Sequence, residues 1–269
     1  MLHLVWSIDP VLLHIGPLQV RWYGLLFAAG IVAAYRAGVR SFERAGGSRE
    51  EASQLLSYVV AGTIIGARLG HCLLYEPGYY LHHPLEILAL WRGGLASHGG
   101  ALGIAVAVAL FAKRRARPIL WLLDRVAVAA PIAAACIRVG NFFNSEIVGR
   151  PSAAPWAVVF ARVDAQPRHP AMLYEAAAYL GIFGVMWGLD RRTGLRERQG
   201  ALLGIVPVLI FGFRFAVEFL KEPQEAFERG LPWDLGQLLS VPAVLIGVWL
   251  LMTARRLPET RPGTPAASG

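Results

Sequence analysis

Long apolar stretches alternate with short polar segments along almost the whole chain. A helix needs roughly 20 predominantly apolar residues to cross the hydrocarbon region of a bilayer. Seven stretches meet this requirement, and they are centred near Leu26, Gly62, Ile104, Val128, Leu180, Val208 and Leu245. The pattern predicts an all-α polytopic membrane protein in which residues 1–254 form a single domain of seven transmembrane helices. Residues 255–269 are polar and proline-rich and are expected to form a flexible cytoplasmic tail.

Composition agrees with this pattern. Hydrophobic residues make up 55% of the chain, charged residues only 16%, and the mean hydropathy is +0.48, which lies outside the usual range of soluble proteins. Residues 84–91 are expected to be interfacial or re-entrant. The first 16 residues lack the basic segment and small-residue cleavage site of a signal peptide, so we expect them to remain and to lie along the outer interface.

The distribution of positive charge predicts the orientation. The net charge of +8 would suit a nucleic-acid partner, but the basic residues gather in alternate loops, so no nucleic acid is expected. The positive-inside rule makes these loops cytoplasmic, and seven crossings then put the N-terminus outside and the C-terminus inside. The basic clusters are Arg36, Arg40, Arg44 and Arg49; Lys113, Arg114, Arg115 and Arg117; Arg191, Arg192, Arg196 and Arg198; and Arg255, Arg256 and Arg261.

Most polar residues inside the predicted helices lie in the outer half of the membrane. Charged groups at membrane depth are functional candidates because they are costly to bury. These residues are Arg21, Tyr23, Arg68, His71, His98, Arg138, Asn141, Tyr174, Glu175, Arg214 and Glu218. They predict the wall of a polar cavity open to the outer leaflet, where irregular backbone is tolerated.

The predicted positive charge of this cavity indicates the kind of ligand that it binds. Guanidinium binds phosphate through paired donors, so an anionic phospholipid headgroup fits a cavity in which arginines outnumber carboxylates. The arginines counted are Arg21, Arg68, Arg138, Arg150 and Arg214, and the nearby carboxylates are Glu146, Glu175 and Glu218. Arg214 and Glu218 are four residues apart and share a helix face, so Glu218 is expected to hold Arg214. Asp124 and Arg125 lie in the cytoplasmic half and are interpreted as a structural ion pair. For each pair in the outer half of the membrane, the alternative is that the two residues only neutralise each other as buried charges.

Glycines define a second feature of the sequence. Gly66 and Gly70, and likewise Gly99 and Gly103, have the GxxxG spacing that allows close helix packing. His98 is flanked by Gly93, Gly94, Gly99 and Gly100, which leave its imidazole open. It is either a packing residue or a catalytic one.

Several motifs together resemble the prolipoprotein diacylglyceryl transferase family. They are "GPLQVRWYGLLFAAG", "GARLGHCLLYEPGYYLHHPLEIL", "WRGGLASHGGALG", "RVGNFFNSEIVGRP", "RHPAMLYEA", "RFAVEFLKEP" and "LGQLLS", in the family's order and spacing. The resemblance covers nearly the whole chain, and "GNFFNSEIVG" is its most specific part. The chain departs from the family pattern at Lys221, where an arginine is expected.

The resemblance implies transfer of a diacylglyceryl group from phosphatidylglycerol to the lipobox cysteine of a prolipoprotein signal peptide, with release of glycerol phosphate. It also implies a multi-pass protein of the bacterial inner (plasma) membrane whose active site faces the extracytoplasmic leaflet. The expected catalytic residues are His98, Arg138 and Arg214. The expected substrate-binding residues are Tyr23, Arg68, Asn141, Asn144, Glu146, Gly149, Tyr174, Glu175 and Glu218. No cofactor or metal is implied.

Other functions remain open at this point. A transporter for anions or phospholipids would also place arginines in a cavity, but it would usually carry polar residues through the full depth and an internal repeat, and the sequence has neither pattern. An intramembrane serine protease is disfavoured, because Ser97 and His98 are neighbours whose side chains point apart on a helix. Cys72 and Cys136 are interpreted as packing residues.

Overall fold

The computed structural model describes residues 3–16, 18–89, 94, 96–222 and 233–256. Within these ranges the chain is mostly helical. The helices are α1 (Trp22–Arg44), α2 (Arg49–Leu74), α3 (Pro77–His82), the 3-10 helix η1 (Pro84–Leu88), α4 (Ser97–Arg115), α5 (Ile119–Asn144), α6 (Ala171–Asp190), α7 (Thr193–Arg196), α8 (Ala201–Glu218) and α9 (Leu235–Thr253). The short strands are β1 (Leu4–Trp6), β2 (Val11–Ile15), β3 (Leu18–Arg21), β4 (Val158–Phe160), β5 (Pro167–Arg168), β6 (Arg198–Gln199) and β7 (Arg255–Arg256).

Six of the described helices are long and apolar enough to cross a membrane, namely α1, α2, α5, α6, α8 and α9. Each matches a predicted span, and the chain is therefore a multi-pass membrane protein of mostly helical structure. The remaining predicted span corresponds to α4, a helix of 19 residues that ends in Lys113, Arg114 and Arg115. The segment after α2 is irregular, with α3 and η1 as short turns of helix. Of the stretch predicted to be interfacial or re-entrant, residues 90 and 91 lie outside the described residues.

Glycines set the packing of α2 against α4. A Cβ atom at Gly66 would overlap the carbonyl oxygen of Gly99, and one at Gly103 would overlap the carbonyl oxygen of Gly62. The two backbones are therefore in direct contact, which confirms the prediction from the GxxxG spacing. Elsewhere α1 packs along α5, α8 packs along α9, and α6 and α8 both contact α5.

Short strands form a small head at the end of the bundle where α5 finishes. β1 pairs in parallel with β4, and β4 pairs antiparallel with β5. β2 and β3 form a separate antiparallel hairpin that leads directly into α1. The hydrophobic pattern did not predict these strands, because two to five residues are too few to show an alternation.

The basic loops meet at the opposite end of the bundle. Arg44 at the end of α1 forms an ion pair of 2.8 Å with Asp190 at the end of α6. Arg117 donates to both carboxylate oxygens of Glu51 at 2.8 and 2.9 Å. The hydrogen bonds to Glu51 raise the pKa of Arg117 above its ordinary value. These contacts bring one end each of α1, α2, α4, α5 and α6 to the same end of the bundle. The charge pattern predicts this grouping of the basic loops.

The predicted Asp124–Arg125 ion pair is wrong. Asp124 accepts hydrogen bonds from the backbone N–H groups of Gly200 and Leu203 at 2.8 and 2.7 Å and so caps the start of α8. Arg125 lies 3.4 Å from Asp190 instead. Successive residues on a helix point in different directions, so each takes a partner from another element. A structural role for both residues is retained.

The first two residues of the predicted tail form a strand. Arg255 and Arg256 form β7, which pairs antiparallel with β6. Residues 257–269, the rest of the predicted tail, lie outside the described residues.

Candidate active site

Aromatic packing anchors the end of α5 to the head. Phe142 packs on Trp6 with ring centroids 4.1 Å apart and on Phe160 at 5.8 Å. The helix then stops at Ser145, which has φ of 58° and lies in the left-handed region. Such a residue closes a helix by turning the chain back on itself. As a result the backbone N–H of Glu146 donates to the carbonyl of Asn141 at 2.9 Å.

This turn builds a polar relay that begins at Arg138. Arg138 Nη1 donates to Asn141 Oδ1 at 3.2 Å, and Asn141 Nδ2 donates to Glu146 Oε2 at 2.8 Å. Asn144 Nδ2 donates to the other carboxylate oxygen of Glu146 at 3.0 Å. Four of the predicted site residues are therefore connected, and Glu146 acts on Arg138 through Asn141 rather than by direct contact.

A second arm of the network is formed by α6 and the end of α8. Arg138 Nε lies 3.2 Å from Glu175 Oε2, an ion pair whose N–H is not aligned for a hydrogen bond. Lys221 Nζ bridges two carboxylates, with Glu175 Oε1 at 3.3 Å and Glu218 Oε2 at 2.9 Å. Tyr179 also donates to Glu175 Oε1 at 3.1 Å. Glu175, Glu218 and Lys221 are all buried, so the network is a set of alternating charges held away from water.

Arg214 differs from the prediction. Glu218 was expected to hold it, but Glu218 bonds to Lys221 instead, so this predicted pair is wrong. In the part of the chain that the structure describes, Arg214 has no hydrogen bond or ion pair, although it is only partly exposed. It lies near Tyr179, as Arg138 does. An unpartnered guanidinium beside a buried charge network is suited to an anionic ligand.

Gly149 lies where the chain passes between two other backbones. Its N–H donates to the carbonyl of His169 at 2.9 Å, and it forms a bridge with Lys221. A Cβ atom here would lie 2.6 Å from the carbonyl oxygen of His169 and 2.7 Å from that of Leu220. Close approach of the backbones therefore explains why a glycine lies at position 149. The neighbouring Arg150 donates from Nε to the carbonyl of Lys221 at 2.9 Å.

Arg168 connects the backbone around Gly149 to the head. It donates to Asp164 from Nε at 3.1 Å, to the carbonyl of Gly149 at 3.1 Å and to Glu222 at 2.6 Å. These hydrogen bonds lower the pKa of Asp164 and raise the pKa of Arg168. Both side chains therefore remain charged across the physiological pH range, so their ion pair holds the backbone around Gly149 in place.

The other predicted residues lie in different parts of the fold. Tyr23 packs against Gly140 and lies in the electrostatic range of Arg138 and Glu146, so it belongs to the cluster. Tyr174 accepts from Trp156 Nε1 at 2.8 Å and bonds to His169 Nδ1 at 3.0 Å. It therefore lies at the head.

Arg68 is built into a different part of the fold. It is buried and donates to the backbone carbonyls of Ile87 at 2.8 Å and Glu86 at 2.6 Å. These contacts hold the irregular segment after α2 in place. The donors of Arg68 are therefore used by the backbone of the protein rather than directed at a ligand. His98 occupies the first turn of α4, and its side chain lies outside the described part of the structure.

Polar and apolar space adjoin at the cluster. Within the described residues, Asn144 Oδ1 and Ser145 Oγ are buried without a hydrogen-bond partner. An apolar cavity of about 470 Å³ lies between α1, α2, α4 and α5 and extends from Arg125 to Ile137, the residue before Arg138. Twelve residues of helix span roughly 18 Å, so the cavity is deep as well as narrow.

Two residues of the site were missed by the sequence analysis. Lys221 was noted only as a departure from a family pattern, although it follows Glu218 by three residues and so shares its side of the chain. Arg168 had no signal of its own beyond its place before His169 in "RHPAMLYEA". In the described residues no group of three or more His, Cys, Asp or Glu side chains is placed to hold a metal ion, and Cys72 and Cys136 are free.

Comparisons with known proteins give one consistent result. The family model described as "Prolipoprotein diacylglyceryl transferase" matches residues 10–253. The phosphatidylglycerol–prolipoprotein diacylglyceryl transferase of Tolumonas auensis is 45% identical over 254 residues, which is 94% of this chain and 98% of the relative. The protein of the same name from Chloroherpeton thalassium is 44% identical and covers 93% of each chain. That from Bacteroides fragilis is 41% identical, over 93% of this chain and 95% of its own.

Proposed function

The chain belongs to the prolipoprotein diacylglyceryl transferase family, and from this premise we propose that the Arg138 cluster is its active site. The chain is a transferase that moves the diacylglyceryl group of phosphatidylglycerol to prolipoprotein. The observation that carries the assignment of the site is the charge network of Arg138, Glu175, Lys221 and Glu218. Arg214, which has no partner among the described residues, lies beside it.

The reaction proposed at this site is an alkyl transfer to sulfur. The thiolate of the lipobox cysteine attacks the glycerol carbon that is bonded to the phosphate oxygen. The new carbon–sulfur bond is a thioether, the carbon–oxygen bond breaks, and its electron pair leaves on the phosphate of glycerol phosphate. The thiol proton passes to a base or to water. Negative charge therefore grows on the departing phosphate during the step.

Arg138 and Arg214 are proposed to stabilise that charge. Glu175 and Asn141 engage Nε and Nη1 of Arg138, which fixes the plane of the guanidinium and leaves its remaining donors for phosphate. Arg214, which has no hydrogen bond or ion pair in the described part of the chain, supplies a second cation. Donors fixed in advance stabilise a transition state more than a ground state, and removing one costs about 10²–10³ in rate.

The surrounding residues are proposed to position these two arginines and the headgroup. Glu146 and Asn141 orient Arg138, and Asn144 and Ser145 offer buried polar atoms to the headgroup. Tyr23 is proposed as a further donor. The apolar cavity beneath Ile137 suits an acyl chain whose headgroup lies at Arg138.

His98 is proposed as the base that activates the acceptor thiol. A free thiol has a pKa of about 8.5, so only a small fraction is ionised at neutral pH. The support is the position of His98 in the first turn of α4 together with its motif. The other predicted substrate-binding residues, Arg68, Gly149, Tyr174, Glu175 and Glu218, are proposed to act by shaping the cavity.

The proposal includes an orientation in the bacterial inner membrane. Seven crossings with the N-terminus outside and the C-terminus inside would put the Arg138 cluster in the extracytoplasmic leaflet and the basic loops in the cytoplasm. Labelling of single cysteines introduced at Arg115 and Ser152 tests this: a membrane-impermeant reagent added to intact cells should reach only position 152.

A direct assay tests the reaction and the site together. Purified protein is incubated with phosphatidylglycerol and a lipobox peptide, and the mass of the peptide is measured. We expect a gain of one diacylglyceryl group in the wild type and a large loss of rate in Arg214→Gln. Phosphatidylethanolamine should be a poor donor. Undiminished transfer by Arg214→Gln would remove Arg214 from the proposed role and leave the family assignment in place.

A further inference from the structure

A second cavity lies at the opposite end of the bundle from Arg138. It has a volume of about 820 Å³ and is open to the surface, which is within the size range of small-molecule sites. Its lining consists of Arg192, Gly194, Leu195, Arg198, Ala254 and Arg255. Three of these six residues are arginines.

The cavity is formed by elements that the fold holds together. α7 follows α6, β6 leads into α8, and β7 follows α9; β6 and β7 pair with Gln199 opposite Arg255. Asp124 on α5 fixes the start of α8 through the N–H groups of Gly200 and Leu203. The 18 residues of α8 span roughly 27 Å, which separates this cavity from the Arg138 cluster.

The three arginines carry unbalanced positive charge. All three are exposed, and within the described residues none forms an ion pair with a carboxylate, including the nearby Glu197. Other arginines at the same end of the bundle do have acidic partners: Arg44 pairs with Asp190 and Arg117 with Glu51. Like charges around one cavity repel unless an anion lies between them.

An apolar surface leads from the bundle to this cavity. Leu245, Trp249 and Met252 on α9 are 63%, 61% and 82% exposed, and the cavity begins two residues after Met252. A tryptophan near a helix end is typical of the membrane interface. The apolar surface of α9 and the arginines of the cavity together suit a molecule with acyl chains and a phosphate group better than a free anion.

We propose that this cavity binds the phosphate of an anionic phospholipid from the leaflet opposite to the active site. Arg192, Arg198 and Arg255 contact the phosphate, and the acyl chains lie along α9. Each arginine near an anionic surface contributes about fivefold to affinity, and three contribute roughly a hundredfold. The bound lipid would hold α7, β6 and β7 together. The site is separate from the transfer reaction.

Lipid binding is tested on the full-length, delipidated protein in detergent by native mass spectrometry with dioleoylphosphatidylserine. The test variant is Arg192→Gln/Arg198→Gln/Arg255→Gln. The control Arg36→Gln/Arg40→Gln/Arg49→Gln removes the same charge from exposed arginines of the same end. We expect the test variant to lose one binding event, with a weakening of about 100-fold, and the control to change by less than about threefold. Equal loss in both triple variants would overturn the proposal, because it would reduce the effect to net charge.

Two further measurements define the ligand and separate this site from the active site. Glycerol 3-phosphate at millimolar concentration should not compete with the lipid; competition would show a site for soluble anions and overturn the lipid assignment. Peptide transfer at saturating phosphatidylglycerol should continue in the test variant, which also shows that it is folded. Unchanged lipid binding in a variant that transfers normally would overturn this proposal and leave the proposed function standing.

Discussion

Replacement of Lys221 by methionine tests whether the buried charge network holds the proposed active site together. Lys221 Nζ lies between Glu175 Oε1 and Glu218 Oε2, and its side chain is 2% exposed. Methionine has a similar length and fills the same space without a charge. In Lys221→Met, Glu175 keeps Arg138 as a partner, but Glu218 keeps none in the described network. One carboxylate is then left buried and unpaired.

The size of the effect follows from that uncompensated charge. Removing one partner of a buried ion pair costs about 3–5 kcal/mol, since the remaining group loses its partner and stays out of water. For a chain of this size each kcal/mol shifts Tm by about 2–4 °C, so Lys221→Met should lower Tm by roughly 6–20 °C. Arg is the expected family residue here, and Lys221→Arg should lose much less because a cation remains between the two carboxylates.

A double-mutant cycle in detergent separates this cause from a packing defect. Glu218→Gln/Lys221→Met removes the charge from both sides, so its Tm should be higher than the sum of the two single losses predicts, by an interaction of about 1–3 kcal/mol. Additive losses, or a drop of less than about 2 °C for Lys221→Met, would refute the charge argument. The peptide mass assay on the same variants then reports whether Arg138 is still correctly placed.

Three other substitutions test single positions by the peptide mass assay. Arg138→Lys keeps the charge but cannot contact Glu175 and phosphate with parallel donors, and it should lose about 10²-fold or more in rate; near wild-type turnover would contradict the phosphate role. Gly149→Ala should lower both Tm and activity by the equivalent of about 1–3 kcal/mol because of overpacking, whereas Gly212→Ala, with open space around it, should change neither. His98→Ala should be slow at pH 7 and recover partly toward about pH 8.5, where the thiol ionises unaided; a deficit that is constant with pH would exclude the base role.

The transmembrane helices and the glycine contacts were predictable from sequence, because each depends on a local signal. Apolar length predicted α1, α2, α5, α6, α8 and α9. The spacing of Gly66, Gly70, Gly99 and Gly103 predicted the close approach of α2 and α4. The relay from Arg138 to Glu146 was also accessible, since its members lie within nine residues of each other at the end of one helix.

The pairing of charges was not predictable, because it depends on how separate elements meet. Glu218 was assigned to Arg214 from its i−4 spacing, but Lys221 lies after the end of α8 and reaches the same carboxylate from the turn. Asp124 was assigned to Arg125, but the open N–H groups at the start of α8 offer it a better partner. Spacing along one helix shows which residues are able to meet, and the neighbouring elements decide which pairs form.

Charge counting along the sequence also overstated the positive charge of the proposed active site. Arg68 and Arg150 donate to backbone carbonyls, so they serve the fold. Arg21 is exposed and donates to Gln19 in the hairpin before α1, so it is not part of the cluster either. The remaining cluster is balanced: its cations are Arg138, Arg214 and Lys221, and its carboxylates are Glu146, Glu175 and Glu218. A neutral cluster is cheaper to bury than a cationic one. The proposed recognition of a phosphate therefore depends on the direction of the donors of Arg138, which Asn141 and Glu175 hold, and on Arg214, which has no partner among the described residues, rather than on net charge. Donors held in place act most strongly when charge develops on the leaving group.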